Sequence, residues 1–247
     1  FLFRDNYKSI AELSAKELRL GGLRIDPKTN IGSRVTYYNN VKIRNLKNQN
    51  SEIIQVKGLP KNPKLSNISW SPDQKRIALT NTTETGVELW VLELENGSVT
   101  KLTESNLNSN IGSVINWFSD SENMLVKMIS NNRRPLIDTN KIVPDGPTIS
   151  TNFGEKAQNR TYQDLLKNKF DEHNFEQLST STIYKVSIDG SVKKWMDDGM
   201  YRTISFSPNG EYVMISQINK PFSYLVTYSR FPTETNIYNK DGDFVSN

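Results

Sequence analysis

The chain has no cysteine and a single histidine, His173, in 247 residues. The first absence removes disulfides, thiolate catalysis and cysteine-bound zinc together. The second leaves no material for a multi-histidine metal site and nearly excludes a Ser-His-Asp triad within the chain, so no catalytic residue, metal or cofactor is expected. No apolar run approaches the roughly 18 residues of a membrane helix, and no membrane span is expected. A long basic block is also missing. The 31 Lys and Arg are spread among 27 acidic residues for a net charge of +4, which argues against a nucleic-acid partner. The chain opens on Phe1 without a signal-peptide pattern and reads as a piece of something longer.

What is present is β-sheet chemistry. Mean hydropathy is -0.60, yet aromatics make up 10% of the residues, as in a polar β protein with many turns. The string ISWSPDQKRIAL (68–79) has a degraded copy, TISFSPNGEYVMI (203–215), and a weaker relative, INWFSDSENMLVKMI (115–129). Proline presets φ at the first central turn position, and Asp or Asn before a small or flexible residue completes a tight turn. Each copy is therefore strand, turn, strand, with Trp70, Pro72, Asp73, Trp117, Phe206 and Pro208 as its repeated positions. A second hairpin runs in step, at 41–56, 87–102, 182–196 and 235–245. Three of these tips carry Asn-Gly or Asp-Gly, at Gly97, Gly190 and Gly242, a strong short-range hairpin signal.

Four strands per unit, with Trp70 and Trp117 separated by 47 residues, is the period of a β-propeller blade. The fold class is all-β: a partial propeller with about three to four four-stranded blades visible, from a ring expected to hold seven or eight. Trp70, Trp117 and Phe206 are expected to pack between blades, with both indoles largely buried. Trp117 and Phe206 are 89 residues apart, and the excess places an insertion at about 130–178, between the second and third strands of one blade. A smaller insertion falls around NKPFSYLVTYSR.

Function concentrates in loops inserted on a rigid scaffold. The larger insertion carries Arg133, Arg134 and Arg160, whose guanidinium forks suit carboxylates; Arg160 has the alternative of pairing with Asp164. The pattern Thr161-x-x-Asp164 with Tyr162, Leu165, Leu166, Phe170 and Phe175 predicts a short helix over 161–169 and a second over 171–178. His173 reads as a surface helix residue.

AELSAKELRLGGLRIDPKTNIGSR, DGPTI, NRTYQDLLKNKFDEHNFE and NKPFSYLVTYSRFPTETNIYNKDG resemble the N-terminal, dipeptidyl-peptidase-like propeller region of prolyl-oligopeptidase-family serine peptidases, specifically the glutamyl endopeptidase-like branch. The resemblance runs through almost the whole chain. It implies that residues 1–247 are a propeller domain and that an α/β-hydrolase domain carrying the triad follows downstream. The sequence itself has no Gly-x-Ser-x-Gly nucleophile elbow. The propeller would then filter peptide substrates and contribute side chains to the cleft, its partners being those peptides and the hydrolase domain. A preference for Glu before the cleaved bond would need a cation, which Arg160 or Arg230 could supply. The resemblance also implies a periplasmic or secreted location. Two other readings use the same residues: a free-standing interaction propeller resembling TolB or WD-repeat proteins, and glycan binding through Tyr201, Tyr224 and Tyr228.

Overall fold

The computed structural model describes residues 1–45, 51–138, 154 and 162–247. Three consecutive four-stranded antiparallel units form its body. The first contains β7 (Leu65–Trp70), β8 (Arg76–Thr82), β9 (Val87–Glu93) and β10 (Val99–Lys101). The second contains β11 (Ile115–Trp117), β12 (Asn123–Ile129), β13 (Ser181–Ser187) and β14 (Val192–Gly199). The third contains β15 (Tyr201–Phe206), β16 (Tyr212–Ile218), β17 (Thr233–Asn239) and β18 (Phe244–Ser246). Each sheet pairs its strands in chain order, so these are the blades anticipated from the turn spacing. The earlier half-blade is also present: β5 (Tyr38–Ile43) pairs with β6 (Ile54–Gln55). A strand not anticipated, β1 (Leu2–Arg4), adds to the other edge of β5, and the pair Tyr38–Leu65 links this group to β7.

Stacking explains the strand patterns. Strands β8 and β12 are buried on both faces, because a neighbour covers each side. Strand β16 alternates, with Val213 and Ile215 buried and Tyr212 and Met214 exposed, as a sheet covered on one face should. Between the first two blades pack Ala78, Leu89, Val91, Trp117, Met124 and Val126. Between the second and third lie Phe118, Leu125, Ile183, Val213 and Ile215, with Phe118 and Phe206 edge-to-face at 4.8 Å.

The turns adopt the geometry their residues demand. Ser71 N–H donates to the Arg76 carbonyl at 2.9 Å, and Asp73 Oδ1 accepts from Ser71 Oγ at 2.6 Å. The same position of all three turns falls in the left-handed region, at Gln74, Ser121 and Gly210. Gly97, at φ +73°, also sits so close to the half-blade that a Cβ would lie 2.7 Å from the Gln55 carbonyl oxygen.

Two expectations need correction. Trp117 is buried and donates its indole N–H to the Ser69 carbonyl at 3.2 Å, but Trp70 is 57% exposed. Trp117 rests on the preceding full blade, whereas only the β1–β5–β6 group precedes Trp70, whose indole stays outside the core formed there by Val41, Leu65, Ile77, Leu79 and Leu92. The predicted helix over 161–169 is also absent from its described part. One helix, α2 (Lys169–Ser179), covers the second prediction, capped by Asn168, whose Oδ1 accepts from Asp171 N–H at 2.9 Å. Asp164 instead has φ +57°, incompatible with a first helical turn.

Candidate functional site

An antiparallel four-stranded blade sends its two tight turns to one end and its central loop, with the link to the next blade, to the other. The long segments all leave at that second end. They are residues 5–37, the described residues of 130–180, and 219–232, and together these build a cap over it. The first segment holds a short helix, α1 (Ile10–Leu13), and a small sheet of β2 (Leu18–Leu20), β3 (Leu23–Asp26) and β4 (Ile31–Gly32). The cap has its own core: Leu20, Ile25, Leu166, Phe175, Leu178 and Phe231. Phe175 contacts Phe222 and Phe231 at 5.1 and 5.5 Å.

Backbone contacts lock the three segments together. Gly22 N–H donates to the Asp164 carbonyl at 2.8 Å, and Tyr228 N–H to the Gly21 carbonyl at 2.7 Å. The approach needs glycine, since a Cβ on Gly22 would lie 2.6 Å from the Thr227 methyl. Asn108 Nδ2 donates to the Leu178 and Thr180 carbonyls at 3.0 and 2.9 Å, holding the end of α2 on the link between the first two blades.

The cap is rich in guanidinium groups, most of them neutralised. Arg24 Nε meets Asp164 at 2.7 Å, Arg19 bridges Asp164 and Glu17, and Arg34 also reaches Glu17 at 3.0 Å. Burial works to raise the Glu17 pKa, but bonds from Ser33, Arg34 and Arg19 prevail and hold it at about 2. This alternating chain of charges was missed in the sequence, because its members are scattered between residues 17 and 164.

The expected site residues fall into three situations. Arg134 lies 3.9 Å from Glu176, a carboxylate it shares with Lys220 at 2.8 Å, which leaves it a structural partner. Arg133 donates to Asn30 Oδ1 at 2.8 Å and makes no ion pair with a described residue; burial lowers its pKa. Arg230 is exposed and stacks over the Tyr162 ring at 5.7 Å, again with no described carboxylate. Arg160 lies outside the described residues, as does the DGPTI string, and its suggested partner Asp164 is engaged by Arg24. His173 Nε2–H donates to the Pro135 carbonyl at 3.0 Å. The three tyrosines weighed for glycan contact form no shared platform: Tyr201 is buried, and Tyr228 packs against the aromatic cluster. Burial, then a bond to Glu172, pushes the Tyr224 hydroxyl up to about 12. Among the described residues no cluster suited to a metal ion occurs, and no helix is long and apolar enough to cross a membrane.

No family model matches the chain. The "Probable glutamyl endopeptidase, chloroplastic" of Oryza sativa subsp. japonica is 30% identical over 258 residues, covering 99% of this chain and 27% of that protein. The chain is thus similar over nearly its whole length to a protein named probable glutamyl endopeptidase. The protein of the same name from Arabidopsis thaliana is 31% identical, covering 99% of this chain and 26% of that protein. The chain thus spans about a quarter of the length of the curated relatives it matches. Among solved structures, the uncomplexed acylaminoacyl peptidase of Pyrococcus horikoshii gives a TM-score of 0.46 at 18% identity, covering 94% of this chain and 31% of that one. A putative TolB from Agrobacterium tumefaciens gives 0.41 at 13% identity, covering 92% and 73%.

Proposed function

We propose that this glutamyl endopeptidase-like chain is the substrate-gating and substrate-recognition propeller of a serine peptidase, working with an α/β-hydrolase domain of the same protein. The observation that carries this reading is a match over 99% of the chain to proteins named probable glutamyl endopeptidase. The cap supports it physically. Three long segments converge at one end of the blades, and Arg133 and Arg230 keep guanidinium groups free of described carboxylates. A Glu side chain placed before the scissile bond is a fitting counter-ion for such a group. The chain supplies no nucleophile elbow, so hydrolysis belongs to the partner domain.

The test uses the full-length protein and peptides differing only at the residue before the scissile bond. Arg133→Ala, Arg160→Ala and Arg230→Ala are compared with wild type. Loss of one charge-assisted contact should lower kcat/KM for Glu peptides by about 10- to 100-fold, and leave neutral peptides unchanged. Unaltered selectivity in all three would reduce the propeller to a gate. A natural reading frame with no hydrolase sequence after residue 247 would favour a free-standing interaction propeller. We also propose an exported, periplasmic or secreted, location; the plant relatives are named chloroplastic, and cell fractionation decides.

A further inference from the structure

At the rim of the cap, away from Arg133 and Arg230, is a cavity of about 270 Å³. It is walled by the α1 region (Lys8, Glu12), the turn between β3 and β4 (Asp26, Lys28), and the first blade (Lys64, Thr82). Three features of its lining are unusual. The Lys8 ammonium is partly desolvated and, among the described residues, donates only to the Ser33 carbonyl and makes no ion pair. Lys8 and Lys64 both approach the Tyr37 ring, at 5.9 and 5.8 Å. The Thr82 hydroxyl is buried beside the Tyr37 phenol, toward which it is a long donor, and makes no hydrogen bond of normal geometry with a described residue. A buried hydroxyl in this state normally has a partner.

The acidic residues of the wall are already occupied. Glu12 takes the Lys64 ammonium at 2.8 Å and both Ser9 donors. Glu17 is held by Arg19, Arg34 and Ser33. Asp26 caps its turn, accepting from Thr29 Oγ1 at 2.8 Å and Lys28 N–H at 2.9 Å. Glu84 is solvated. Donors without an anionic acceptor among the described residues therefore line one cavity: the Lys8 ammonium, the Thr82 hydroxyl, and the exposed Lys28 side chain.

We infer that this cavity binds a carboxylate, one oxygen taking the Lys8 ammonium and the other the Thr82 hydroxyl, with the ligand's methylene stem against the Tyr37 ring. The carboxylate can come from a free dicarboxylate or from an acidic side chain of a peptide bound across the rim. Nothing in this inference depends on the peptidase reading. Calorimetric titration of the chain with glutarate and, separately, with blocked Ala-Glu-Ala tests it, using wild type, Lys8→Met, Thr82→Val and the distant control Lys75→Ala. The expected result is saturable binding of at least one ligand, weakened about tenfold or more by Lys8→Met and several-fold by Thr82→Val, and unchanged in the control. Binding of glutarate alone assigns a metabolite site; tighter binding of the peptide assigns an acidic-peptide exosite. Absence of saturation with both, equal binding by Lys8→Met, or tighter binding of inorganic phosphate would overturn the inference. Thermal unfolding without ligand checks that each variant is folded, and Thr82→Val, nearly isosteric, keeps the test open if Lys8→Met is not.

Discussion

Lys127, in the middle of β12, offers a prediction with a definite sign. Its side chain is 2% exposed, and its ammonium donates to the Ile111 carbonyl and, at 3.4 Å, to the Tyr201 carbonyl. No carboxylate among the described residues reaches it, and burial lowers its pKa from 10.5 to about 7. Below pH 7 the lysine is charged in both the folded and unfolded chain, so the folded state carries the full cost of the buried charge. Above pH 7 the folded protein releases the proton while the unfolded chain keeps it up to about pH 10.5. Folding stability should therefore rise with pH through this window, with a limiting slope of about 1.4 kcal/mol per pH unit from this group. Denaturant unfolding of wild type and Lys127→Met at pH 6, 7.5 and 9 isolates the contribution, because all other titrations are common to both. The difference between them should shift by about 2.7 kcal/mol in favour of wild type as pH rises from 6 to 9. The absolute difference is the weaker readout. Lys127→Met strips a donor from two buried carbonyls, at a cost of about 1–3 kcal/mol for each group left unpaired, which offsets the relief of the buried charge. Parallel stability curves for the two proteins would refute the reasoning and mean that water reaches the ammonium.

Three more outcomes follow from contacts described above. Trp117→Ala should cost about 3–5 kcal/mol in denaturant unfolding, whereas Trp70→Ala, at an exposed position, should cost under about 1 kcal/mol. Gly97→Val should destabilise by more than about 2 kcal/mol, because both its φ and the nearby Gln55 carbonyl oppose a side chain. Gly190→Ala, with nothing within 4 Å of the new Cβ, should cost only the backbone term of about 1 kcal/mol. Breaking the Arg24–Asp164 pair by Asp164→Asn should loosen the cap, read as faster amide exchange at Gly22 with the blades unaffected.

The blades were legible in the sequence because each tight turn must be written locally. A residue that accepts positive φ has to sit at one position of the turn, and the apolar alternation on either side fixes the strands. The insertion boundaries followed from the same spacing. The fate of Trp70 was not legible. Its motif is as good as that of Trp117, but exposure depends on which surface lies next to it, a property of the neighbour and not of the motif. The helix register failed for a related reason. Thr161-x-x-Asp164 and Asn168-x-x-Asp171 are both plausible starts, and Asp164 is drawn away by Arg24, distant in sequence. The cap charges were hidden likewise: an arginine alone does not reveal whether a carboxylate will fold against it, so Arg134 and Arg133 looked alike before the structure separated them.

The two ends of the blades face different constraints on change. At the tight-turn end, left-handed residues and a bond between adjacent turns, Asp73 N–H to Ser121 Oγ at 3.0 Å, tie each turn to its neighbour, so an added residue there disturbs two blades at once. At the other end, dozens of residues leave and return between strands that remain in register. A lineage carrying this architecture can rewrite the capped face by lengthening loops, with the stacked sheets underneath left as they were.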